Sequence, residues 1–589
     1  MSKRAKASGG YESTRPAASP IGSAGAEPSK QLSRWEWILL SAILATGAYL
    51  RFSHLDLLEF QGDEAYAASL ALEFVKHGKL PSAGLMSSVG VTNPPLFIYL
   101  LVPMFALSVN PVCVSCCIAA LGLAAVAAGW WMGRKYYGSV AGLVTAAFFA
   151  VSPWAVIYSR KIWAQDLVPV FATATMWAVH TVCVGRKPKA VFWCILLPLC
   201  VLQIHFSGLA LLATVLVILV WLRPGVDWRM AVAGGIVALL SMIPYLQLQS
   251  RTGWVDFKQA MNTVGGGQQW EQLHGITTHP ITGYRLPSKQ YASYALAIMN
   301  SGRIEDVLGI AAGGEFDRAQ VWQNKGRGKP NYFAESRPPI DWILLFEQLA
   351  FVAALIWLAV TAVKNVRGWK VSDDAGRTAW ILVLWVVVPL AVFAVTGLWT
   401  YLTYFVILYP VHFLACGWVA ERTVRLAKPT ITYTAAAVLV AANIVFLMDY
   451  YSFVGKNGGA QGTFGTALGI KQQAARFLAE RGGGRLQAES ETQVRLMLAR
   501  TQEERNRLSE SLTQPMLLEL NHEGKVELPQ LEWPLLVSQE PAGSGAWPTN
   551  QTALLVDGNR EALQAQQWQQ LASYPSTNFG PIRIYFVSR

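Results

Sequence analysis

The chain has 589 residues, of which 53% are hydrophobic and only 14% charged. A soluble protein of that length divides into several domains and carries about a quarter charged residues, so an ordinary soluble enzyme is excluded. The formal net charge of +12 invites a nucleic-acid reading, but most of the Lys and Arg sit in short loops between apolar runs. That is the positive-inside bias of a polytopic membrane protein, and no nucleic acid is expected as a partner.

In chain order, residues 1–34 are rich in Ser, Ala, Gly and basic residues. They read as a disordered cytoplasmic tail without a signal peptide. Apolar runs of about 17–25 residues, the length that crosses a bilayer as a helix, then begin at Trp35. A first external loop covers residues 55–92, with a helical stretch at 67–75. Two apolar runs fill 93–132 and are expected to make one net crossing, the first being a short re-entrant or interfacial helix. Helices follow at 138–157, 167–184, 191–204, 207–222 and 230–248, with a second external loop at 158–166. A long external loop, 250–340, precedes helices at 341–363, 379–396, 402–419 and 430–449. Five successive inside loops are basic, which fixes the N-terminus inside. The expectation is about eleven transmembrane helices over 35–450.

The remainder, 455–589, changes character and is expected to be a small external α/β domain. It contains a helix over 469–481 and a terminal strand through Ile582 and Val587, alternating and β-branched. Gly482 to Gly484 reads as a turn, since no Lys-Ser/Thr helix start follows. The seven cysteines lie in or beside apolar runs, and Cys113, Cys116 and Cys117 lack a second cluster at zinc spacing. They read as small packing residues, and no disulfide framework is available to the soluble segments.

The chemistry-bearing residues fall in the external loops. Asp63 and Glu64 are adjacent acids; one role for such a carboxylate is general base, and the bland one is decoration of a helix N-terminus. Tyr66 follows one turn on. Arg160, Lys161 and Asp166 occupy the second loop. Cations on the external side run against the positive-inside trend, so an anionic ligand such as a lipid phosphate is one explanation and headgroup contact the other. His205 stands at a membrane boundary between two apolar helices, either functional or a satisfied core histidine. His274 and His279, in the long loop, read as solvated. Tyr404 belongs to an aromatic group that includes Trp399, Tyr401 and Tyr409, either an interfacial belt or the wall of a lipid or sugar site.

Asp63-Glu64 after the first helix, Asn93-Pro94-Pro95-Leu96, Ser152-Pro153 with Tyr158-Ser159-Arg160 and Asp166, and the late Tyr404 with Pro410 together resemble the membrane glycosyltransferases of the GT-C fold. The nearest resemblance is to the dolichyl-phosphate-mannose-protein mannosyltransferase-like group, family 39, with the aminoarabinose transferases of lipid A beside it. It covers about 35–450. The resemblance implies a catalytic carboxylate at Asp63, a second acid at Asp166, an external active site and a polyprenyl-phosphate sugar donor. It also implies transfer with inversion to a glycolipid, polysaccharide or protein acceptor, with membrane lipid around the site. Glu64, Tyr66, Arg160, Lys161, His205 and Tyr404 are the expected substrate-binding residues. The aminoarabinose transferases carry Glu-Lys before the Pro-Pro pair, where this chain has Thr92-Asn93. That departure argues against lipid A aminoarabinose transfer; no cofactor and no metal ligand is assigned, and a divalent metal is left open. The location that fits is a bacterial inner (plasma) membrane. The competing reading is a transporter or lipid flippase, which predicts ionisable residues at helix centres and paired broken helices; a membrane scaffold is a third.

Overall fold

A computed structural model describes residues 32–87, 91–263, 338–367, 370–371, 373–396, 402–426, 428–460 and 465–481. Within the C-terminal part it also describes 486–489, 514–522, 536–539, 551–557 and 572–588. The expectations for residues 1–31, for most of the long loop (264–337, with His274 and His279), for Trp399 and Tyr401 and for Gly482 to Gly484 lie outside the described residues.

Helix α1 (Arg34–Phe52) starts on a capping box: Ser33 Oγ accepts from the Glu36 amide at 3.2 Å and Glu36 accepts from the Ser33 amide at 2.8 Å. A single 3₁₀ turn, Leu55–Leu57, leads to α2 (Gly62–His77), which ends on Gly78 in the left-handed region. Helix α3 (Leu96–Leu107) has 12 residues and α4 (Pro111–Tyr136) has 26. At 1.5 Å per residue these reach about 18 and 39 Å, so only α4 is long enough for a hydrocarbon layer of about 30 Å.

The helix expected over 138–157 is two helices, α5 (Ser139–Val151) and α6 (Pro153–Ile157). Pro153 has no amide proton and pushes Ser152 out of the helical region, which breaks the run there. Then come α7 (Ala164–Cys183), α8 (Val191–Ile204) and α9 (Gly208–Leu222). The expected helix 230–248 is a pair, α10 (Trp228–Ser241) and α11 (Ile243–Arg251), bent by 57° where Pro244 interrupts the hydrogen-bond ladder. Helix α12 (Val255–Thr263) follows.

Helices α13 (Pro338–Lys364) and α14 (Asp374–Thr396) flank a short hairpin, β1 (Val366–Arg367) and β2 (Lys370–Val371). The helix expected from 402 begins later, as α15 (Val411–Leu426); residues Leu402–Leu408 form a 3₁₀ segment, because Pro410 again starts a helix rather than continuing one. Helix α16 (Pro429–Asn457) closes the bundle.

By length and apolarity four of these helices qualify singly as membrane spans: α4, α7, α14 and α16. The α10–α11 pair makes five. Helices α3, α5, α8, α9 and the apolar part of α13 are shorter, so the count of about eleven does not follow from helix length among the described residues. The spans pack through small residues: a Cβ on Gly133 would lie 2.8 Å from the Gly142 Cα, and one on Gly417 of α15 would lie 2.4 Å from the Ala141 carbonyl oxygen of α5. Such close backbone approach is the usual basis of helix association in lipid, where no hydrophobic force separates helix from solvent. The Glu421 carboxylate on α15 also accepts from the Val140 and Ala141 amides at the start of α5, at 3.1 and 3.3 Å.

The C-terminal part contains β3 (Gly459–Ala460), β4 (Gly465–Thr466), α17 (Leu468–Arg481), β5 (Leu486–Glu489), α18 (Gln514–His522), β6 (Leu536–Gln539), β7 (Gln551–Asp557), β8 (Ser576–Phe579) and β9 (Ile582–Ser588). The last five strands pair antiparallel in the order β5-β6-β7-β9-β8. Ala553 and Leu555 of β7 share one face with Ile584 and Phe586 of β9, and that face is covered by Ala474, Ala475 and Leu478 of α17 and by Met516 and Leu520 of α18. The expected helix and terminal strand are both present.

The α17 start is docked on the first loop. The Leu468 amide donates to the Leu58 carbonyl at 2.9 Å, and the buried Lys471 ammonium donates to the Phe60 carbonyl. A Cβ on Gly469 would lie 2.8 Å from Asp56, so the contact requires a residue without a side chain at that point.

Candidate active site

Two loops meet at the candidate site. The first runs from the end of α1 into α2. Asp63 and Glu64 occupy the first turn of α2, where the helix dipole favours carboxylates. Glu64 is buried and accepts from the Gln61 amide at 3.0 Å, so part of its role is the helix cap. Asp63 is exposed to solvent on this turn. The protein packed around it raises its pKa above the usual carboxylate value, opposed by the Trp163 indole and the Lys161 charge.

The second loop lies between α6 and α7. Its aromatic rings stack in a column: Trp154 on Tyr158 at 5.2 Å and Tyr158 on Trp163 at 5.9 Å between centroids. Lys161 lies with its ammonium 4.0 Å from the Trp163 ring centroid. The same ammonium is 2.7 Å from Glu59 and 3.6 Å from Glu64. Burial works against the ammonium, but Glu59 and Glu64 outweigh it and the net direction is upward, so Lys161 stays charged. Burial likewise disfavours charge on Glu64, and despite Lys161 its pKa is pushed up to about 7, with Glu59 and Asp63 adding repulsion.

Trp163 ties the two loops together by donating from Nε1 to Asp63 at 3.3 Å. Asp166, in the first turn of α7, is buried; one oxygen accepts from the Lys161 amide at 3.0 Å and the other has no hydrogen-bond partner among the described residues. The arrangement therefore groups Glu59, Asp63, Glu64 and Asp166 around one buried cation. It can take a proton from a neutral hydroxyl at Asp63 and hold positive charge beside it at Lys161.

The structure thus joins Asp63, Glu64, Lys161 and Asp166. Arg160 behaves differently from its expected place on a phosphate. Its guanidinium donates to the carbonyls of Leu50, Ser53 and His54, at 3.4, 2.6 and 2.9 Å, and to the Tyr451 hydroxyl, and it lies 4.7 Å from the Tyr451 ring centroid. It closes the end of α1, where a cation meets the negative end of the helix dipole. Tyr66 is on the outer side of α2 and 47% exposed.

His205 and Tyr404 form a separate group. The rings meet edge to face at 4.4 Å, and His205 Nδ1 accepts from the Ser207 amide at 3.1 Å, which places its proton on Nε2. Among the described residues no set of three or more His, Cys, Asp or Glu is placed to hold a metal ion. Glu59 and Trp163 are the members that motif reading passed over. The signal for Glu59 was a lone acid between Leu58 and Phe60, and for Trp163 an indole in a loop already carrying two cations.

No family model and no curated protein matches the sequence. Among solved structures the chain is similar to the archaeal oligosaccharyltransferase AglB from Archaeoglobus fulgidus in complex with an inhibitory peptide and a dolichol-phosphate. The identity is 12% and the TM-score 0.39, over 76% of this chain and 58% of that one. It is also similar to ArnT from Cupriavidus metallidurans bound to undecaprenyl phosphate, at 12% identity and a TM-score of 0.43 over 94% and 98% of the two chains. A third is the arabinosyltransferase EmbB from Mycobacterium smegmatis, at 11% and 0.31 over 79% and 46%.

Proposed function

We propose that this chain is an integral membrane glycosyltransferase that moves a sugar from a polyprenyl-phosphate donor to an acceptor hydroxyl on the external face. In this reading the bundle makes about eleven crossings in the inner (plasma) membrane of a bacterium, with residues 1–34 inside and the C-terminal domain outside. The acceptor is a glycolipid, polysaccharide or protein.

The observation that carries the proposal is the meeting of the two external loops, with Asp63 held by Trp163 and Lys161 paired to Glu59 and Glu64. Asp63 is the base. The acceptor oxygen bonds to the anomeric carbon as the bond from that carbon to the carrier phosphate oxygen breaks; the electron pair leaves with the phosphate and the acceptor proton goes to Asp63. A raised pKa suits that step, because a carboxylate closer to neutrality is the stronger base. Lys161 offsets the charge on the departing phosphate. Asp166 orients the loop through the Lys161 amide. Arg160 positions α1 and the first loop rather than contacting the donor.

The test is sugar transfer from a pool of polyprenyl-phosphate sugars into membrane extract, with wild type against Asp63→Asn. Loss of transfer by about 10²–10⁴-fold, the usual worth of a general base, with unchanged protein level and melting, supports the assignment. Equal transfer by both proteins, or none by either across the donor pool, overturns it.

A further inference from the structure

A second site lies away from the carboxylates, and its case does not depend on glycosyl transfer. Where α10 and α11 bend by 57° they open an apolar cavity of about 180 Å³ against α8 and α12. Leu199, Leu202, Phe206, Ala238, Leu239 and Met242 supply its walls. It is a half-open groove whose lining is largely apolar, a surface an apolar chain can cover. Lysine, arginine and histidine are absent from the lining; the charged group is Asp256.

Asp256 is held rather than left loose. One carboxylate oxygen accepts from the Tyr245 hydroxyl at 3.1 Å and from the Gln249 amide, and Gln249 Oε1 accepts in return from the Asp256 amide at 3.2 Å. Tyr245 and Gln249 are 3% and 2% exposed, so two buried polar side chains fix the carboxylate at the cavity wall. The same hydroxyl lies 2.9 Å from the Thr92 carbonyl, so its one proton is shared between Asp256 and the first loop. Asp256 makes no ion pair among the described residues.

The outer surface of the same elements identifies the surroundings. Val232, Ile236, Leu239, Leu240 and Ile243 are each 44–58% exposed, an apolar face that no other described residue covers. Trp228 and Trp254 stand at its two ends, 67% and 43% exposed, as tryptophans do at the two membrane surfaces. The cavity therefore lies at acyl-chain depth, and Asp256, two residues beyond Trp254, lies at headgroup level.

We infer that this cavity seats the chain of a membrane lipid whose headgroup carries an ammonium, with the ammonium on Asp256. A fixed carboxylate without a cation attracts an ammonium and repels a phosphate that has no ammonium beside it. The site accordingly separates an aminophospholipid from an anionic one.

The experiment uses the full-length chain reconstituted in vesicles of equal phosphatidylethanolamine and phosphatidylglycerol, extracted, and weighed with its retained lipid by native mass spectrometry. The expected result is retention of phosphatidylethanolamine over phosphatidylglycerol by about tenfold, the ratio that about 1.4 kcal/mol gives. Asp256→Asn equalises the two lipids, and Ala238→Trp, which fills the cavity, removes both. Ala238→Phe gives the same reading if the larger ring prevents folding. Equal retention in wild type, a preference that survives Asp256→Asn, or lipid retained with the cavity filled each overturns the inference. The first means non-selective boundary lipid, and the second a preference set elsewhere than at Asp256. Wild type that keeps no lipid also overturns it.

Discussion

Arg51 and Arg160 each close the helix on which the other one depends. Arg51, in the last turn of α1, donates to the Phe149 and Ala150 carbonyls at the end of α5, at 3.2 and 2.7 Å, and to Ala155 in α6 at 3.3 Å. Arg160, just past α6, donates to the Leu50, Ser53 and His54 carbonyls at the end of α1. Neither has a carboxylate partner among the described residues. The negative ends of two helices supply the compensating charge, and the crossing fixes the first loop against the second.

Arg51→Met removes every one of those buried donors and leaves at least two helix-end carbonyls without partners. Destabilisation by about 3 kcal/mol is expected from unsatisfied buried acceptors, read as a lower melting temperature in detergent. Arg160→Lys should fail to restore α1, because an ammonium cannot reach three carbonyls as a planar fork does. Wild-type melting in either variant would refute the reciprocal closure.

Glu64 gives the fold a pH dependence with a definite sign. Its pKa is about 7 in the folded chain against an ordinary value of 4.5, so the folded state holds the proton more tightly than the unfolded one. Stability is then greatest below 4.5, falls as pH rises through the interval to about 7, and is level above it. The raised Lys161 pKa acts only at strongly alkaline pH and leaves this interval alone. Glu64→Gln should reduce the slope of melting temperature against pH across that range, leaving the same-sign share of Asp63, whose pKa is also raised. A variant with the wild-type slope would assign the dependence elsewhere.

Gly417 is a packing requirement of the membrane core. A Cβ there would sit 2.4 Å from both the Ala141 carbonyl oxygen and Thr145 Oγ1, and Thr145 already donates to the Phe413 carbonyl. Gly417→Ala must separate α5 from α15, at about 1–3 kcal/mol for an overpacked site, and should loosen the Glu421 cap on α5. Melting and hydrogen exchange at the Val140 and Ala141 amides measure the two effects.

Lys471 links the C-terminal part to the first loop. Its buried ammonium bonds the Phe60 carbonyl, three residues before Asp63. Lys471→Met keeps the stem and removes the donor, so faster proteolysis and exchange at residues 55–61 are expected while the five-stranded sheet stays intact. If sugar transfer falls together with that protection, the C-terminal part is holding the first loop in place.

Much of this organisation is legible in residue order. Uncharged runs, basic turns between them and Pro153, Pro244 and Pro410 carry their structural consequence locally, through transfer energy, charge placement and the missing amide proton. The placement of carboxylates in the first loop and of cations in the second is equally local, and it makes Asp63 and Lys161 candidates, with Asp166 added by the family resemblance. The partners of those residues are another matter. Whether Lys161 faces Glu59 and Glu64, whether Arg160 meets a ligand or a helix end, and whether Trp163 reaches Asp63 depend on contacts about 100 residues apart in the chain. Sequence read along one dimension determined the apolar runs of a membrane protein and the charged loops between them. Only tertiary structure decided which charges neutralise each other, because burial and proximity, not residue type, set where a buried charge finds its partner.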